Sequence, residues 1–456
     1  MKLLRTTFLS VLLASAAFAG AAPPPNFIVF ICDDLGYLDS QPYGSPDIRT
    51  PHLARLAAEG TRFTHCFVAS PSCGPSRTAL LTGLLPARNG AEPNHTPKRP
   101  DIASLPPVLS ALGYEVAAFG KVAHNNDAPL HGFAKIEKDS SAASVRKFLA
   151  AREATKPLCL FLGTRHPHVP WGENEGYDAA GISLPPTHYD TPETRAMRTR
   201  YASDVTRADA WLGELLPLVR SEVKGESLIL FTSDHGAQWP FAKWNLYDAG
   251  IRVPCIAVWP GKLPPGSTSD AMIQWPDLLP TFIELGGGKV PDGLDGKSFA
   301  AMLRGEATTH RDRIFTTHSG DGRMNVYPIR SLRTREWKYI LNLHPEYQHH
   351  SHISRAGEKD GLGYWQSWEA AAANDPAAAA IVRRFRERPR EELYHLTTDP
   401  YEQENLAGDP QHAARIAAMR AELEAWMQQQ GDQQTVFGPP VLIGQPAPPF
   451  PPQSNN

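Results

Sequence analysis

One cysteine in the chain stands in a polar setting that suits nucleophilic chemistry. Cys73 begins the run Cys-Gly-Pro-Ser-Arg, which leads into a helix-compatible segment at residues 76–81. Backbone N–H groups at a helix N-terminus lack intrahelical partners and favour an anion. Arg77 adds a fixed positive charge one turn further along. The run predicts an anion pocket beside Cys73, and a buried structural cysteine at a loop-to-helix junction is the alternative for the run taken alone.

Carboxylates follow two apolar runs of the sequence. Residues 26–31 are β-branched and aromatic, as expected for a strand buried on both faces of a parallel sheet, and Asp33 and Asp34 come soon after them. A second such run leads to Asp234 and His235. Open α/β sheets bind ligands at the carboxyl ends of their strands, so these side chains are candidates for one site. Three carboxylates with one imidazole favour Ca²⁺ over Zn²⁺, although an Asp pair also commonly forms a turn or a helix cap.

Basic side chains follow two further apolar runs. One run leads to Lys121 and His124, and the other leads to a segment that contains His168. Lys243 lies a short distance beyond the second acidic segment. The two lysines, together with Arg77, supply positive charge for an anionic substrate group. The two histidines can exchange protons near neutral pH.

Strand and helix signals alternate through the first half of the chain. Strands are predicted at residues 26–31, 114–120, 157–163 and 227–231. Helices are predicted at residues 51–60, 105–112 and 201–223. This alternation predicts an α/β sheet, with the candidate residues gathered at the carboxyl ends of its strands. An amphipathic helix is predicted near the C-terminus, at residues 412–429.

Composition and the N-terminal segment limit the class of protein. The 456 residues carry a net charge of −3, which argues against a nucleic-acid footprint spread over the surface. Residues 1–22 combine basic residues, an apolar run and a small-residue cleavage site, the pattern of an export signal peptide. No later apolar run is long enough to span a bilayer. We therefore expect an exported protein, periplasmic or secreted, with no membrane anchor and no nucleic-acid partner.

Together the motifs resemble the formylglycine-dependent (type I) sulfatases of the alkaline-phosphatase-like superfamily. The resemblance rests on Cys-Gly-Pro-Ser-Arg at residues 73–77 with Thr-Gly at 82–83, and on other segments that occur in the family's order. These segments are Asp33-Asp34, Gly120-Lys121, Pro167-His168-Val169-Pro170, Ser233-Asp234-His235-Gly236 and residues 246–254. Residues 324–331 and 361–365 resemble the heparan N-sulfatase (sulfamidase)-like branch.

The resemblance implies an alkaline-phosphatase-like α/β fold. That fold has a mixed, mostly parallel sheet sandwiched by helices, and a smaller C-terminal antiparallel sheet plus a helix. Residues 336–343 and 392–396 resemble strands of that smaller sheet. The expected domains are a signal peptide at residues 1–22, a sulfatase catalytic domain at 23–310, a C-terminal α+β subdomain at 311–437 and a Pro-rich tail at 438–456.

The resemblance also implies a cofactor and a modification. In that family the cysteine is oxidised after translation to Cα-formylglycine, whose hydrated gem-diol is the nucleophile. Cys73 is thus expected to become formylglycine, with a formylglycine-generating or maturase enzyme as a partner during biogenesis. The implied Ca²⁺ ligands are Asp33, Asp34, Asp234 and His235.

The remaining catalytic roles are carried over by motif. Arg77 and Lys121 would orient residue 73, and Lys121 and Lys243 would bind the sulfate. His168 would protonate the leaving group, and His124 would be the base for sulfate release. One departure concerns this base: the common family spacing is Gly-Lys-x-His, whereas two residues here separate Lys121 from His124.

The expected substrate is a sulfated glycan, with N- or O-sulfated glucosamine of the heparin/heparan type first and algal polysaccharides such as ulvan second. Candidate glycan contacts are His95, His318, Arg323 and the histidines at 349, 350 and 352, and a solvated loop is the alternative reading of each. Two functions of other classes stay open: a phosphatase or phosphodiesterase with an unmodified nucleophile, and a non-catalytic protein that binds sulfated glycans. Intact catalytic motifs weigh against both.

Overall fold

The computed structural model describes residues 23–446, so the predicted signal peptide and the end of the Pro-rich tail lie outside the described residues. The strands are β1 Asn26–Cys32, β2 Thr61–Phe67, β3 Glu115–Phe119, β4 Lys135–Glu137, β5 Leu158–Gly163, β6 Ser227–Ser233, β7 Arg252–Val258, β8 Ser267–Gln274, β9 Arg313–His318, β10 Ile329–Thr334, β11 Trp337–Asn342 and β12 Glu391–His395.

The α-helices, again in chain order, are α1 Pro51–Glu59, α2 Cys73–Thr82, α3 Pro86–Asn89, α4 Leu105–Ala111, α5 Ala142–Ala151, α6 Pro192–Glu222, α7 Asp248–Ile251, α8 Leu278–Leu285, α9 Ala300–Leu303, α10 His352–Arg355, α11 Leu362–Ala372, α12 Pro376–Arg386 and α13 Ala413–Gln430. Short 3-10 helices occur at Gln41–Tyr43, Ala128–His131, Trp275–Asp277, Glu358–Asp360, Leu406–Gly408 and Pro410–His412. None of the helices between residues 23 and 446 is long and apolar enough to cross a membrane.

The larger sheet has the strand order β4-β3-β5-β1-β6-β7-β2-β8. Strand β1 lies at its centre and pairs in parallel with both β5 and β6. Strand β7 is antiparallel to β6 and to β2, and the other pairs are parallel. The predicted mixed, mostly parallel sheet is confirmed.

Helices cover both faces of this sheet. Successive side chains of a strand point to opposite faces of the sheet, so Phe27 and Phe30 of β1 lie on opposite faces. The ring of Phe27 stacks on Phe282 of α8 at 4.1 Å between centroids, and Phe30 meets Trp211 of α6 edge-on at 5.6 Å. The central strand is therefore enclosed on both sides, which explains its continuous apolar sequence.

The smaller sheet is antiparallel, with the order β12-β11-β10-β9. Helix α13 packs on it, and the Trp426 ring of α13 stacks on Phe315 of β9 at 4.7 Å. This arrangement confirms the expected C-terminal antiparallel sheet plus helix. All strands of the smaller sheet follow residue 310, the expected boundary, which stays a prediction.

One helix begins earlier than the sequence pattern predicted. Helix α6 starts at Pro192, nine residues before the predicted start at residue 201. Thr191 caps it by accepting a hydrogen bond from the Thr194 N–H, and Pro192 occupies the first turn, where its missing N–H costs nothing. Apolar periodicity could not find this start, because the first turns are mostly polar.

A buried cluster of charges joins the smaller sheet to α7. The Arg333 guanidinium on β10 lies 3.1 and 2.9 Å from the two Asp248 oxygens, and Lys338 on β11 lies 2.6 Å from Asp248 and 2.7 Å from Glu402. Burial raises the pKa of Asp248, but Arg333 and Lys338 outweigh it and hold that pKa well below its usual value. The folded state therefore depends on both cations.

Replacing Arg333 by Met should destabilise the protein by about 3–5 kcal/mol, since it leaves a buried carboxylate with less compensating charge. Arg335 is half exposed and pairs with the exposed Asp270, so Arg335→Met is a matched control. It should lower the free energy of unfolding by at most about 1 kcal/mol. Denaturant unfolding of both variants measures the difference. Equal, small losses would contradict a structural role for the cluster.

Candidate active site

The central strands bring the acidic residues together. Strands β1 and β6 run in parallel with Cys32 opposite Ser233, so the two acidic segments leave the sheet side by side. The Asp34 N–H donates to Asp234 Oδ1 at 3.0 Å, and Asp34 adopts a φ of 67°. A non-glycine residue at positive φ is strained and occurs mainly where its surroundings fix it. The side-by-side placement expected from the sequence is observed.

Helix α2 delivers Cys73 to this edge of the sheet. Cys73 is its first residue, after an extended Ser72, so the thiol lies at the helix N-terminus as predicted. The sulfur lies 3.3 Å from His235 Nε2 and 3.7 Å from Asp33 Oδ1. The next backbone N–H, that of Gly74, donates to Asn94 Oδ1 at 2.9 Å.

Arg77 holds the two acidic segments in place. Its Nε donates to Asp234 Oδ2 at 2.9 Å, and its Nη2 donates to Asp33 Oδ1 at 3.1 Å. All three side chains are at most 1% exposed. One turn of α2 thus places both the thiol and the cation that bridges the strand ends.

Two lysines surround the thiol with further positive charge. Lys121 follows Gly120, whose φ of 69° and close approach to the Gly163 carbonyl leave no room for a Cβ. The Lys121 ammonium lies 3.6 Å from the Cys73 sulfur and also bonds to Asp33. Lys243 Nζ lies 2.7 Å from Asp34 Oδ2. Both lysines are therefore within the cluster in which the sequence analysis placed them.

The electrostatics of the site favour an anion at residue 73. Burial raises the pKa of the Cys73 thiol, but Lys121, Lys243 and His235 outweigh burial and bring that pKa well below its usual value. A buried cysteine without such partners behaves in the opposite way: burial raises the pKa of Cys159 well above its usual value. The surroundings of Cys73 therefore stabilise a thiolate, whereas those of Cys159 do not.

A group of potential metal ligands lies beside the thiol. Ligand atoms of Asp34, Asp234 and His235, together with the Cys73 sulfur, all lie within 4.8 Å of one another and are buried. Asp33 lies at the edge of this group, where Lys121 and Arg77 engage its carboxylate. Burial raises the pKa of Asp234 to about 7, and a bound cation would keep that carboxylate ionised. Buried oxygen donors with one imidazole fit a hard divalent cation.

A cavity of about 930 Å³ opens onto the thiol. The predicted site residues among those that line it are Cys73, His95, Lys121, His124, His168, Lys243 and His352. His168 Nε2 lies 3.9 Å from Asp34 Oδ2, and His124 Nε2 lies 2.7 Å from His95 Nδ1. These histidines thus line the cavity, whereas Asp33, Asp34 and Asp234 are buried and are not among its lining residues.

Two candidate glycan contacts lie elsewhere. His318 is fully buried, and its Nε2 lies 3.0 Å from Asn325 Oδ1. Arg323 is exposed but does not line the cavity. These positions do not support direct substrate contact by either residue. Of the three clustered histidines, His349 and His350 are buried, and only His352 reaches the cavity.

Several cavity residues were missed by sequence reasoning. They are Asn94, Lys138, Arg165, Gln238, Asp321 and Asp360. Two of them carried a usable signal, because Lys138 and Arg165 directly or nearly follow strands β4 and β5. Asp321 and Asp360 reach the cavity from the C-terminal half, and no local pattern reveals such an approach.

Comparison with known proteins decides the family. A model of the sulfatase family matches residues 25–138 and 124–288, more than half of the chain. The chain belongs to the sulfatase family. A second model, for the C-terminal part of N-sulphoglucosamine sulphohydrolase, matches residues 234–350. Membership makes this sulfatase a hydrolase of sulfate esters or sulfamates in the alkaline-phosphatase-like superfamily.

Individual relatives agree with this assignment. The sulfatase is 31% identical over 438 residues to an ulvan-active sulfatase of Formosa agariphila, covering 92% of this chain and 83% of the relative. It is 27% identical to human N-sulphoglucosamine sulphohydrolase, covering 89% of this chain and 90% of the relative.

Solved structures show the same fold. A 2-O glycosaminoglycan sulfatase superposes with a TM-score of 0.69 at 22% identity, covering 90% of this chain and 93% of that one. A protein solved in complex with its substrate D-glucosamine-2-N,6-O-disulfate superposes with a TM-score of 0.67 at 19% identity, covering 90% and 99%.

The position of His318 generates a test. His318→Ala should lower the free energy of unfolding by about 1–3 kcal/mol, because the Asn325 side chain then loses a buried hydrogen-bond partner. Asn325→Ala should cause a similar loss. In both variants the kcat/KM values for a sulfated glycan and for a small aryl sulfate should change by similar factors. A loss of kcat/KM for the glycan alone would contradict this result and would support the direct substrate contact that the sequence predicts for His318.

Proposed function

We propose that this sulfatase removes sulfate from sulfated glycan fragments by means of a Ca²⁺ ion and a formylglycine made from Cys73. The observation that carries the proposal is the buried cluster around the thiol, in which two lysines and one arginine meet the strand-end carboxylates. Such a cluster suits transfer of a charged sulfuryl group better than it suits a structural cysteine. Because residues 1–22 are predicted to form an export signal peptide, we further propose that the enzyme works outside the cytoplasm, in the periplasm or after secretion.

The proposed metal ligands are Asp33, Asp34, Asp234 and His235. A Ca²⁺ ion there would supply positive charge next to the nucleophile and the sulfuryl oxygens, and formylglycine would supply a hydroxyl nucleophile. The protein's part is to orient these groups. Arg77 fixes two of the ligands, and Gly120 and Gly163 allow the close approach that sets Lys121 in place.

The cavity side chains have separate roles. Lys121 and Lys243 bind the sulfate, because both line the cavity together with Cys73 and the Lys121 ammonium lies 3.6 Å from the Cys73 sulfur. His168 protonates the leaving oxygen or nitrogen. Its Nδ1 lies 2.6 Å from the Val169 carbonyl, which leaves Nε2 toward the site. His124 takes a proton from residue 73 when sulfate is released.

The rim of the cavity indicates a substrate with a second anionic group. Lys138 and Arg165 line it, and neither side chain has a hydrogen bond or ion pair within residues 23–446. Unpaired cations above a sulfate pocket suit a carboxylate or a second sulfate on the same glycan. The similarity to an ulvan-active sulfatase and to N-sulphoglucosamine sulphohydrolase supports sulfated polysaccharide fragments of either the algal or the heparan type.

The metal is tested by binding. Asp234→Asn should weaken Ca²⁺ binding by at least about tenfold and abolish turnover, because Ca²⁺ affinity depends on the number of charged ligands. Asp270→Asn changes an exposed carboxylate outside the site and serves as the control. Calorimetric titration of metal-stripped protein gives both affinities. Full turnover by verified metal-free protein would contradict the proposal.

The substrate is tested on a panel of sulfated oligosaccharides of the heparan and ulvan types, with 4-nitrophenyl sulfate as a small reference. Arg165→Ala should lower kcat/KM for the preferred glycan by about tenfold, the value of one charge-assisted hydrogen bond. Turnover of the aryl sulfate should change by less than about twofold, since it uses only the sulfate pocket. Lys262→Ala, an exposed lysine outside the cavity, is the control. Absence of turnover on every sulfated sugar would reject the substrate class.

A further inference from the structure

Three side chains that line the cavity, His124, His95 and Asp321, are linked to one another in a chain. His124 Nε2 lies 2.7 Å from His95 Nδ1, and His95 Nε2 lies 3.2 Å from Asp321 Oδ1. His124 is 5% exposed, whereas the side chain of His95 is 53% exposed. The chain thus connects a buried imidazole to one that meets water.

Asp321 is held rigidly at the end of this chain. Trp244 Nε1 and Asn94 Nδ2 both donate to its Oδ2, at 2.7 and 2.9 Å. Its second oxygen, Oδ1, faces His95. Burial raises the pKa of Asp321, but the nearby His352 and His95 outweigh burial, so the carboxylate stays ionised.

The hydrogen-bond network assigns the ring nitrogens. Ionised Asp321 only accepts, so His95 carries its proton at Nε2 and its Nδ1 accepts from the Nε2–H of His124. His124 Nδ1 is buried and has no hydrogen-bond partner among the described residues. It is the only nitrogen of that ring left free to take a proton.

The backbone of His95 gives independent support. Its φ is 64°, a strained value for a residue other than glycine. Strain of this kind costs about 1–3 kcal/mol and persists where the surroundings fix a residue for its role. The neighbouring Asn94 is tied to both Asp321 and the N-terminus of α2, which places the strained residue between the nucleophile's helix and the carboxylate.

We propose that Asp321 and His95 are positioning residues that hold His124 in its catalytic orientation and stabilise its charged form. When His124 Nδ1 takes a proton from residue 73, the ring becomes an imidazolium whose Nε2–H keeps donating to His95 Nδ1, and ionised Asp321 stabilises this pair through His95 Nε2–H. The imidazolium then releases the proton at Nδ1 to water in the cavity. One proton enters at Nδ1 and one leaves from Nδ1, so His124 is again protonated at Nε2 alone.

Two residues separate Lys121 from His124, and the contact with His95 Nδ1 fixes the His124 ring in this loop. The inference rests on the proposed role of His124, and it replaces the glycan-contact role that the sequence analysis gave to His95.

Kinetics with 4-nitrophenyl sulfate test the pair, because this substrate has no sugar for His95 to touch. His124→Ala should lower kcat by about 10²–10⁴-fold, and His95→Ala by about 10–100-fold, as for other residues that orient a reacting side chain. The double variant should be no slower than His124→Ala alone. His95→Gln keeps an acceptor for the His124 N–H and should recover part of the loss. His344→Ala, which breaks a histidine–glutamate pair outside the cavity, is the control.

Histidine ¹⁵N NMR gives a second readout that does not need formylglycine. In Cys73→Ser protein, His124 should be protonated at Nε2, and Asp321→Asn should mix its tautomers. An unchanged His124 signal in that variant would overturn the proposal, and so would independent losses of kcat in the double variant. If wild-type protein turned over no sulfate ester, the proposed function would fail and the NMR result alone would decide the positioning role.

Discussion

A buried arginine between two strand-end carboxylates is the interaction on which the site depends. Arg77 contacts Asp33 and Asp234 while all three are shielded from water. Removing one partner from such a contact is costly, because the remaining charge stays buried. The helix that carries Arg77 also begins with Cys73, so the same helix positions both the thiol and the cation that bridges the carboxylates. The charge balance of the site and the position of Cys73 thus depend on one element.

Residues of the C-terminal part of the chain also hold the site in place. The loop that carries Lys243 is anchored by C-terminal residues: Arg388 donates to Asn245 at 2.6 Å, and the Tyr247 hydroxyl lies 2.7 Å from Glu392. The ring of His352 stacks on Trp244 at 4.7 Å. The position of Lys243, the proposed sulfate ligand, therefore depends on contacts with the C-terminal part of the chain, among them Glu392 of the smaller sheet.

Much of this arrangement follows from the sequence. Apolar strands with polar residues at their carboxyl ends predict both the α/β sheet and the residues that meet there, and the Cys73 motif predicts a thiol at a helix N-terminus. Burial of polar side chains does not follow in the same way. His318 and His95 look alike in the sequence, yet one is enclosed beside Asn325 and the other faces the cavity. Asp321 reaches His95 across more than two hundred residues, and only the packed chain shows that contact.

The central claim is that Cys73 acts after conversion to formylglycine. Peptide mass spectrometry should compare protein produced with a formylglycine-generating enzyme and protein produced without one, with turnover measured on both. The account predicts that residue 73 loses its sulfur and gains oxygen in the active preparation, and that turnover rises in proportion to the converted fraction. Full turnover by protein whose residue 73 is still an unmodified thiol would contradict it.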